Sequence, residues 1–291
     1  MKFSIIGPGA IGILIGSLLH RAGHEVEFVC KNLDQMESVR KGVKVVGLVD
    51  YEFIPETNLH YEGNSDYIFI TVKSYDTESA VKKIKKVSDE IVLTLQNGIG
   101  NYEIIKKKVR RVLIGITSCG STKLSDTTIR FVGKGITKIG SLEKDMENEV
   151  NKIVEIFRGI GLPTAKSKDI YRDLWLKAAV NSVINSLTSI FCVKNGELIR
   201  NNYLRDVMKV LADECEKVLC GMGYNINVYD EAYKIAEDTS ENFSSTLQDI
   251  LRGRRTEVDY FLKPFVDRGN SPILKIIYNM VKYREGAKCP E

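Results

Sequence analysis

Apolar positions change rhythm near the middle of the chain. Up to about residue 165, short apolar runs of strand length alternate with segments of helical period: KFSII (2–6), EVEFVC (25–30), DYIFITV (66–72), EIVLTL (90–95) and RVLIGITS (111–118) on one side, AIGILIGSLLHRAG (10–23) and a stretch from about Asp76 to Lys86 on the other. Strands apolar at consecutive positions and separated by helices predict a parallel, doubly wound sheet, because each strand is covered on both faces. Two further β-rich pieces, TIRFVG (128–133) and ITKIGS (136–141), lead into an amphipathic helix near 145–158 and a last short LPTA (162–165). From about Asp169 the period is helical almost without relief, over 170–190, 201–221, 228–239, 243–251, 256–268 and 272–284. The pattern predicts an α/β domain over 1–167 and an all-α domain over 168–291, with the cleft between them as the natural ligand site.

Composition narrows the partners. The chain has 291 residues and 43% hydrophobic content, enough to bury a full core, and its length suggests about two domains. Its 42 Lys+Arg against 38 Asp+Glu leave a formal +4, too small and too scattered for a nucleic-acid footprint. The basic runs KKIKK (82–86) and KKKVRR (106–111) continue helix-like or strand-entry patterns between apolar segments and read as solvated faces. Six cysteines, at 30, 119, 192, 215, 220 and 289, form no C-x-x-C and read as reduced thiols of a cytoplasmic protein. The three histidines, His20, His24 and His60, all fall in the first quarter, which leaves no zinc site and no distant histidine for acid–base chemistry. Glycines and Pro8 interrupt the apolar opening, so it does not read as a signal peptide, and no stretch reaches the ~18 apolar residues of a membrane span.

The segment GPGAIG (7–12) is a G-x-G-x-x-G directly after a strand and at the start of a helix, the fingerprint of a Rossmann-type dinucleotide fold. Gly7 permits the tight turn, Gly9 the approach of a pyrophosphate, and Gly12 close strand–helix packing. An NAD-specific fold carries a carboxylate about 20 residues further on. Here the chain offers Cys30-Lys31-Asn32, while Glu27 falls inside the strand. A lysine at that place can pair with the extra phosphate of NADP, so NADP(H) is the expected cofactor. Lys73 and Asn97-Gly98 follow later strands at their carboxyl ends, where they can touch cofactor or substrate or else serve as turn residues.

In LKAAVNSVINSLT (176–188), Lys177, Asn181 and Asn185 recur every four residues in an otherwise apolar helix. They are displaced by about 40° per step and span roughly 12 Å of axis, forming one polar rail. A core does not accept a lysine and two amides without partners, so the rail reads as a wet cleft, with an interhelical polar network as the alternative. A second cluster lies in NFSSTLQDILRGRRTEVD (242–259), where Ser244 and Ser245 precede a helix whose amides could help hold a carboxylate. Glu257 and Asp259 follow, at a place where a carboxylate could also be a helix-start charge.

GPGAIG, ITVKSYD, LQNG, LWLKAAVNSVINSLT, NGEL (195–198), SSTLQDI and GRRTEVDY together make the chain resemble the ketopantoate reductases over nearly its whole length. The resemblance implies NADPH-dependent reduction of 2-dehydropantoate to pantoate, a step toward pantothenate and coenzyme A, with Lys177 as proton donor. It places Asn97, Asn181, Asn185, Asn195, Asn242, Ser244 and Ser245 on ketopantoate. Around NADPH it places Gly7, Pro8, Gly9, Ala10, Ile11, Gly12, Lys31, Lys73, Asn97, Ser121 and Glu257. It also implies a homodimer through the helical half, and no metal is expected because the histidines offer no site for one. Ser121, where the family commonly has alanine, Pro8 and Thr246 depart from its usual choices. The chemistry agrees with the scarcity of histidine: hydride delivered to a ketone leaves an alkoxide, and a lysine ammonium is the acid that remains to protonate it. Two rivals stand beside this reading, another NAD(P)-dependent 2-keto or hydroxy acid dehydrogenase of the same plan and a non-catalytic NADPH-sensing protein. The Y-x-x-x-K pairs Tyr102/Lys106 and Tyr278/Lys282 imitate short-chain reductases but lie far from where that pair belongs.

Overall fold

A computed structural model of the chain describes residues 1–85 and 90–286. Lys86, at the end of one expected helix and of one basic run, and Cys289 lie outside the described residues. Two compact units are present, one made of Met1–Gln96 and Gly100–Tyr171, the other of Asn97–Ile99 and Arg172–Glu291. The division falls inside the helix Ile170–Phe191, and the three residues Asn97–Ile99 belong to the helical unit although their neighbours in sequence do not.

Among the described residues the first unit contains twelve strands: β1 (Lys2–Ile6), β2 (Glu25–Val29), β3 (Val43–Gly47), β4 (Tyr51–Phe53), β5 (Glu56–Asn58), β6 (Tyr67–Ile70), β7 (Ile91–Thr94), β8 (Val112–Thr117), β9 (Gly120–Lys123), β10 (Thr128–Gly133), β11 (Thr137–Gly140) and β12 (Thr164–Lys166). Eight of them form one sheet in the order β12-β11-β8-β7-β6-β1-β2-β5. Its pairs are parallel except for β11, which runs antiparallel to β8. Alternate residues feed two cores, as a doubly wound sheet requires. Phe3, Ile5, Phe69 and Leu93 join Ile13, Leu14 and Phe157 of helices Ala10–Arg21 and Glu147–Gly159. Ile6, Ile68, Ile70 and Val92 join Ala80, Val81 and Ile105 of helices Thr77–Lys82 and Asn101–Lys106.

A second sheet, in the order β4-β3-β10-β9, is not foreseen by the rhythm of apolar runs. TIRFVG and ITKIGS look alike in sequence, yet they enter different sheets: β10 pairs parallel with β3, and β11 joins the main sheet. The stretch between the second and third apolar runs, left unassigned above, supplies helix Leu33–Arg40, β3, β4 and β5. Its readable signal is the period of two in which Val43 and Val45 are buried and Lys44 is exposed. The basic run 106–111 is tied down by ion pairs, Lys106 to Glu143 at 2.6 Å and Arg111 to Glu149 at 3.4 Å.

The second unit is helical: Ile170–Phe191, Glu197–Arg200, Asn202–Gly221, Val228–Asp238, Ser245–Leu251, Val258–Phe261, Lys263–Gly269 and Pro272–Gly286. Asn201, Asn227 and Ser244 cap three of these, each side-chain oxygen accepting a backbone N–H of the first turn. Buried Trp175 anchors the core, meeting Phe265 edge-on at 5.1 Å, with the Arg268 guanidinium 4.7 Å from its ring centre. The helix expected over 256–268 is broken into two pieces around Leu262. Pro264 is the cause, since it has no N–H to give to the carbonyl of Tyr260 four residues back. That carbonyl accepts the N–H of Ile99 instead, at 2.8 Å. Among the described residues no helix is long and apolar enough to cross a membrane, and Cys30, Cys119, Cys192, Cys215 and Cys220 carry free thiols.

Candidate active site

The glycine loop follows β1 because Gly7 adopts φ +102°, a left-handed conformation that side chains rarely take. The Thr71 hydroxyl fixes the turn by donating to the Gly7 carbonyl at 2.7 Å. A Cβ at Gly12 would fall 2.2 Å from that same carbonyl oxygen, so this position admits only glycine. A Cβ at Gly9 would meet nothing nearer than the Thr71 carbonyl at 4.0 Å. Packing therefore explains Gly12 and does not explain Gly9, whose open side is the one a pyrophosphate would need. Helix Ala10–Arg21 begins there with no acidic residue in its first turn, which leaves its N-terminal amides and dipole for an anion. Pro8 is buried, Ala10 and Ile11 are half-buried, and the Ser121 hydroxyl donates to the Ala10 carbonyl at 3.1 Å, so Ser121 is spent on holding the loop.

Lys31 is exposed at the end of β2. Its backbone N–H donates to Gln35 Oε1 at 2.7 Å, its carbonyl accepts from Lys83 Nζ at 3.0 Å, and its ammonium lies 3.9 Å from Asp76. Glu27 is buried within the strand, where its carboxylate accepts from Ser4 and from Asn58 Nδ2 at 2.9 Å. It is committed to joining β1, β2 and β5, and the three residues that follow β2, Cys30, Lys31 and Asn32, include no carboxylate. Lys73, half-buried, opens the short 3₁₀ turn Ser74–Asp76 after β6.

In the helical unit, Lys177 Nζ donates to Asn97 Oδ1 at 2.7 Å. Asn97 reaches that place because Gly98 packs against Tyr260, where a Cβ would fall 2.6 Å from Tyr260 Cβ, and Ile99 is hydrogen-bonded to the Tyr260 carbonyl. Tyr260 in turn donates its N–H to the carbonyl of buried Glu257 at 2.9 Å. Further along the rail, Asn181 is half-buried and Asn185 is 8% exposed. Among the described residues neither side-chain amide makes a hydrogen bond within the protein. The interhelical network considered above is therefore not formed by these two residues.

The far end of the rail is joined to the second cluster. Ser244 Oγ lies 2.7 Å from the Thr188 hydroxyl and accepts the N–H of Leu247 at 3.2 Å. Asn195 N–H donates to the Asn242 carbonyl and Gly196 N–H to the Ser240 carbonyl, each at 3.0 Å. Ser244 and Asn195 are buried, whereas Asn242 and Ser245 are exposed. Asp259 belongs to a separate group: burial pushes its carboxyl up, but hydrogen bonds from Tyr278 at 2.8 Å and Arg255 at 3.0 Å, with the charge of Lys282, outweigh it and hold the carboxyl below the ordinary aspartate range. Sequence reasoning gave no individual role to Thr188, Tyr260 or Thr239. Their signal was weak, since a lone threonine or tyrosine in a helical stretch carries no periodicity.

A glycine loop shaped by packing at Gly7 and Gly12, together with a lysine paired to an asparagine at the head of a row of amides, defines a two-unit, Rossmann-type oxidoreductase. The comparison with known proteins gives the family. The description "ketopantoate reductase PanE/ApbA" matches residues 3–144, and that of the C-terminal part of the same family matches 169–285. The 2-dehydropantoate 2-reductase of Archaeoglobus fulgidus is 39% identical over 268 residues, covering 92% of this chain and 90% of the relative. The PanE/ApbA family ketopantoate reductase of Ralstonia eutropha JMP134 superposes with a TM-score of 0.88 at 26% identity, over 98% of this chain and 99% of that one. D-mandelate dehydrogenase, solved with NADH and anilino(oxo)acetate, shares the fold at a TM-score of 0.91 and 24% identity, over 98% and 99% of the two chains. This chain belongs to the ketopantoate reductase family, whose members are NAD(P)-dependent oxidoreductases.

Proposed function

We propose that this protein reduces 2-dehydropantoate to pantoate with NADPH. The observation that carries the reading is the Lys177–Asn97 pair at 2.7 Å, at the head of a polar row whose two amides, Asn181 and Asn185, have no side-chain partner among the described protein residues. When bound, the nicotinamide supplies the hydride. The Gly7–Gly12 loop and the first turn of helix Ala10–Arg21 hold the pyrophosphate, Lys31 meets the 2′-phosphate, and Lys73, Asn97, Ser121 and Glu257 complete the cofactor's surroundings. Ser121 contributes through the loop carbonyl it binds.

Lys177 is the acid. Asn97 accepts one of its N–H bonds and so fixes the direction of the ammonium, which stabilises the alkoxide left on the former ketone and then protonates it. Asn181, Asn185 and Asn195 orient the substrate with neutral amides, and the Asn242–Ser245 segment takes part through Asn242, Ser244 and Ser245. A homodimer through the helical unit belongs to the same reading, supported by the exposed apolar residues Ile276, Met280 and Tyr283 on helix Pro272–Gly286, and sedimentation of the purified chain tests it.

The deciding experiment follows absorbance at 340 nm, with NADPH and NADH side by side, on 2-dehydropantoate and on an aromatic 2-oxo acid. Turnover of 2-dehydropantoate with a preference for NADPH is expected, and Lys31→Asp lowers that preference. Turnover of the aromatic acid alone would assign the chain to a different 2-oxo acid, and no turnover with any pairing would leave an NADPH-binding protein without catalysis.

A further inference from the structure

Asn195 is only 6% exposed, and its amide is held from one side. Its Nδ2 donates to Thr239 Oγ1 at 2.9 Å, and Thr239 Oγ1 itself donates to the Ile235 carbonyl at 2.5 Å. A hydroxyl has one hydrogen. Because Thr239 gives it to Ile235, the only thing Thr239 can do toward Asn195 is accept. The amide must therefore turn its NH₂ to Thr239 and its oxygen away. That oxygen, Asn195 Oδ1, is buried and has no hydrogen-bond partner among the described residues. A buried acceptor left in this state favours any ligand that brings a donor to it.

We propose that Thr239 is a specificity-determining positioning residue: by fixing the orientation of the Asn195 amide, it presents an acceptor-only oxygen that selects a 2-oxo acid bearing a hydroxyl group. The inference rests on the reading of this site as the substrate site. A ketone and a carboxylate offer oxygens with no hydrogen, and an amide oxygen repels both. The hydroxyl of 2-dehydropantoate is the one group of that acid able to donate. Without Thr239 the amide of Asn195 is free to rotate and present its NH₂, and the site loses its reason to prefer a hydroxylated acid. A pocket that hydrogen-bonds a substrate hydroxyl rejects the analogue lacking it far more strongly than an apolar pocket could, because the analogue leaves the buried group unpaired.

The test compares 2-dehydropantoate with 3,3-dimethyl-2-oxobutanoate, which has the same carbon skeleton without the hydroxyl. Wild type, Thr239→Val and Thr239→Ser are assayed on both, with melting temperatures taken alongside. Wild type should favour the hydroxylated acid by about tenfold or more in kcat/KM. In Thr239→Val that preference should collapse through a raised KM for 2-dehydropantoate alone, with kcat and the deoxy acid's KM nearly unchanged, and Thr239→Ser should restore it. A Thr239→Val enzyme that keeps the wild-type ratio overturns the proposal. So does a wild type that accepts both acids equally, a result that stands even if the valine variant does not fold. Failure of wild type on both acids sinks the substrate reading and this inference together, whereas turnover of 2-dehydropantoate with an unmoved ratio sinks this inference alone.

Discussion

The glycine loop of the α/β unit and the polar rail of the helical unit are read in opposite ways. In the loop, the informative property is what a side chain would strike: a Cβ at Gly12 meets a carbonyl oxygen at 2.2 Å, while one at Gly9 meets the Thr71 carbonyl only at an ordinary contact distance of 4.0 Å. In the rail, the informative property is what a side chain fails to meet. Ser182, on the same helix, has its hydroxyl 2.8 Å from the Ala178 carbonyl and 2.9 Å from that of Phe261, but the amides of Asn181 and Asn185 find nothing within the described protein. Each region thus contains residues that the fold explains, Gly7 and Gly12 in the loop and Ser182 beside the rail, and residues that it does not, Gly9 in the one and Asn181 and Asn185 in the other. The unexplained residues are the candidates for function in both.

The sharpest way to break the comparison is Lys177→Ala. It should fold and bind NADPH while losing roughly 10²- to 10⁴-fold in kcat, the usual worth of a positioned general acid. Rates within threefold of wild type would remove Lys177 from the chemistry.

Next come the two glycines. Gly12→Ala should cost about 3 kcal/mol of stability in denaturant unfolding, since the Gly7 carbonyl is backbone and cannot step aside. Gly9→Ala should melt like wild type yet bind NADPH about tenfold more weakly, measured by fluorescence titration, because only the ligand needs that space. Equal behaviour of the two variants would erase the distinction between packing glycine and ligand glycine.

The rail gives a smaller effect. Asn181→Ala and Asn185→Ala should each raise KM for 2-dehydropantoate by the equivalent of about 2 kcal/mol, with melting temperature and NADPH affinity almost unchanged. Lowered melting temperatures with unaltered KM would return these residues to the scaffold. The smallest effect is the mirror image: Ser182→Ala should lower stability by about 1 kcal/mol, the net worth of one buried hydrogen bond, and leave KM where it was.

These contrasts also explain how much was legible in the chain. Apolar runs such as KFSII and DYIFITV become central parallel strands because burial on both faces demands consecutive apolar residues, and that demand is visible locally. The second sheet was not legible in the same way: TIRFVG reads as β, but β3, β9 and β10 are as long as the central strands and only partly buried, so no continuous apolar run marks the sheet or its pairing. Motif spacing located the glycine loop, and a period of four located the rail. What the spacing could not supply was the partner of each group. The engagement of Ser121 with the Ala10 carbonyl, of Asp259 with Tyr278 and of Asn97 with Lys177 depends on positions 19 to 111 residues apart in the chain. The break at Pro264 was readable in principle, since a proline inside a helical pattern is a local signal.

That break reaches further than its own helix. By leaving the Tyr260 carbonyl for Ile99, Pro264 helps make Asn97, Gly98 and Ile99 an integral part of the helical unit. The helical half is therefore not a cassette that recombination could lift out whole. A gene fragment starting at codon 172 would encode the rail and Lys177 but leave behind Asn97, the acceptor that aims the ammonium. A helical half moved into another sequence would need the tripeptide Asn97–Ile99 to travel with it.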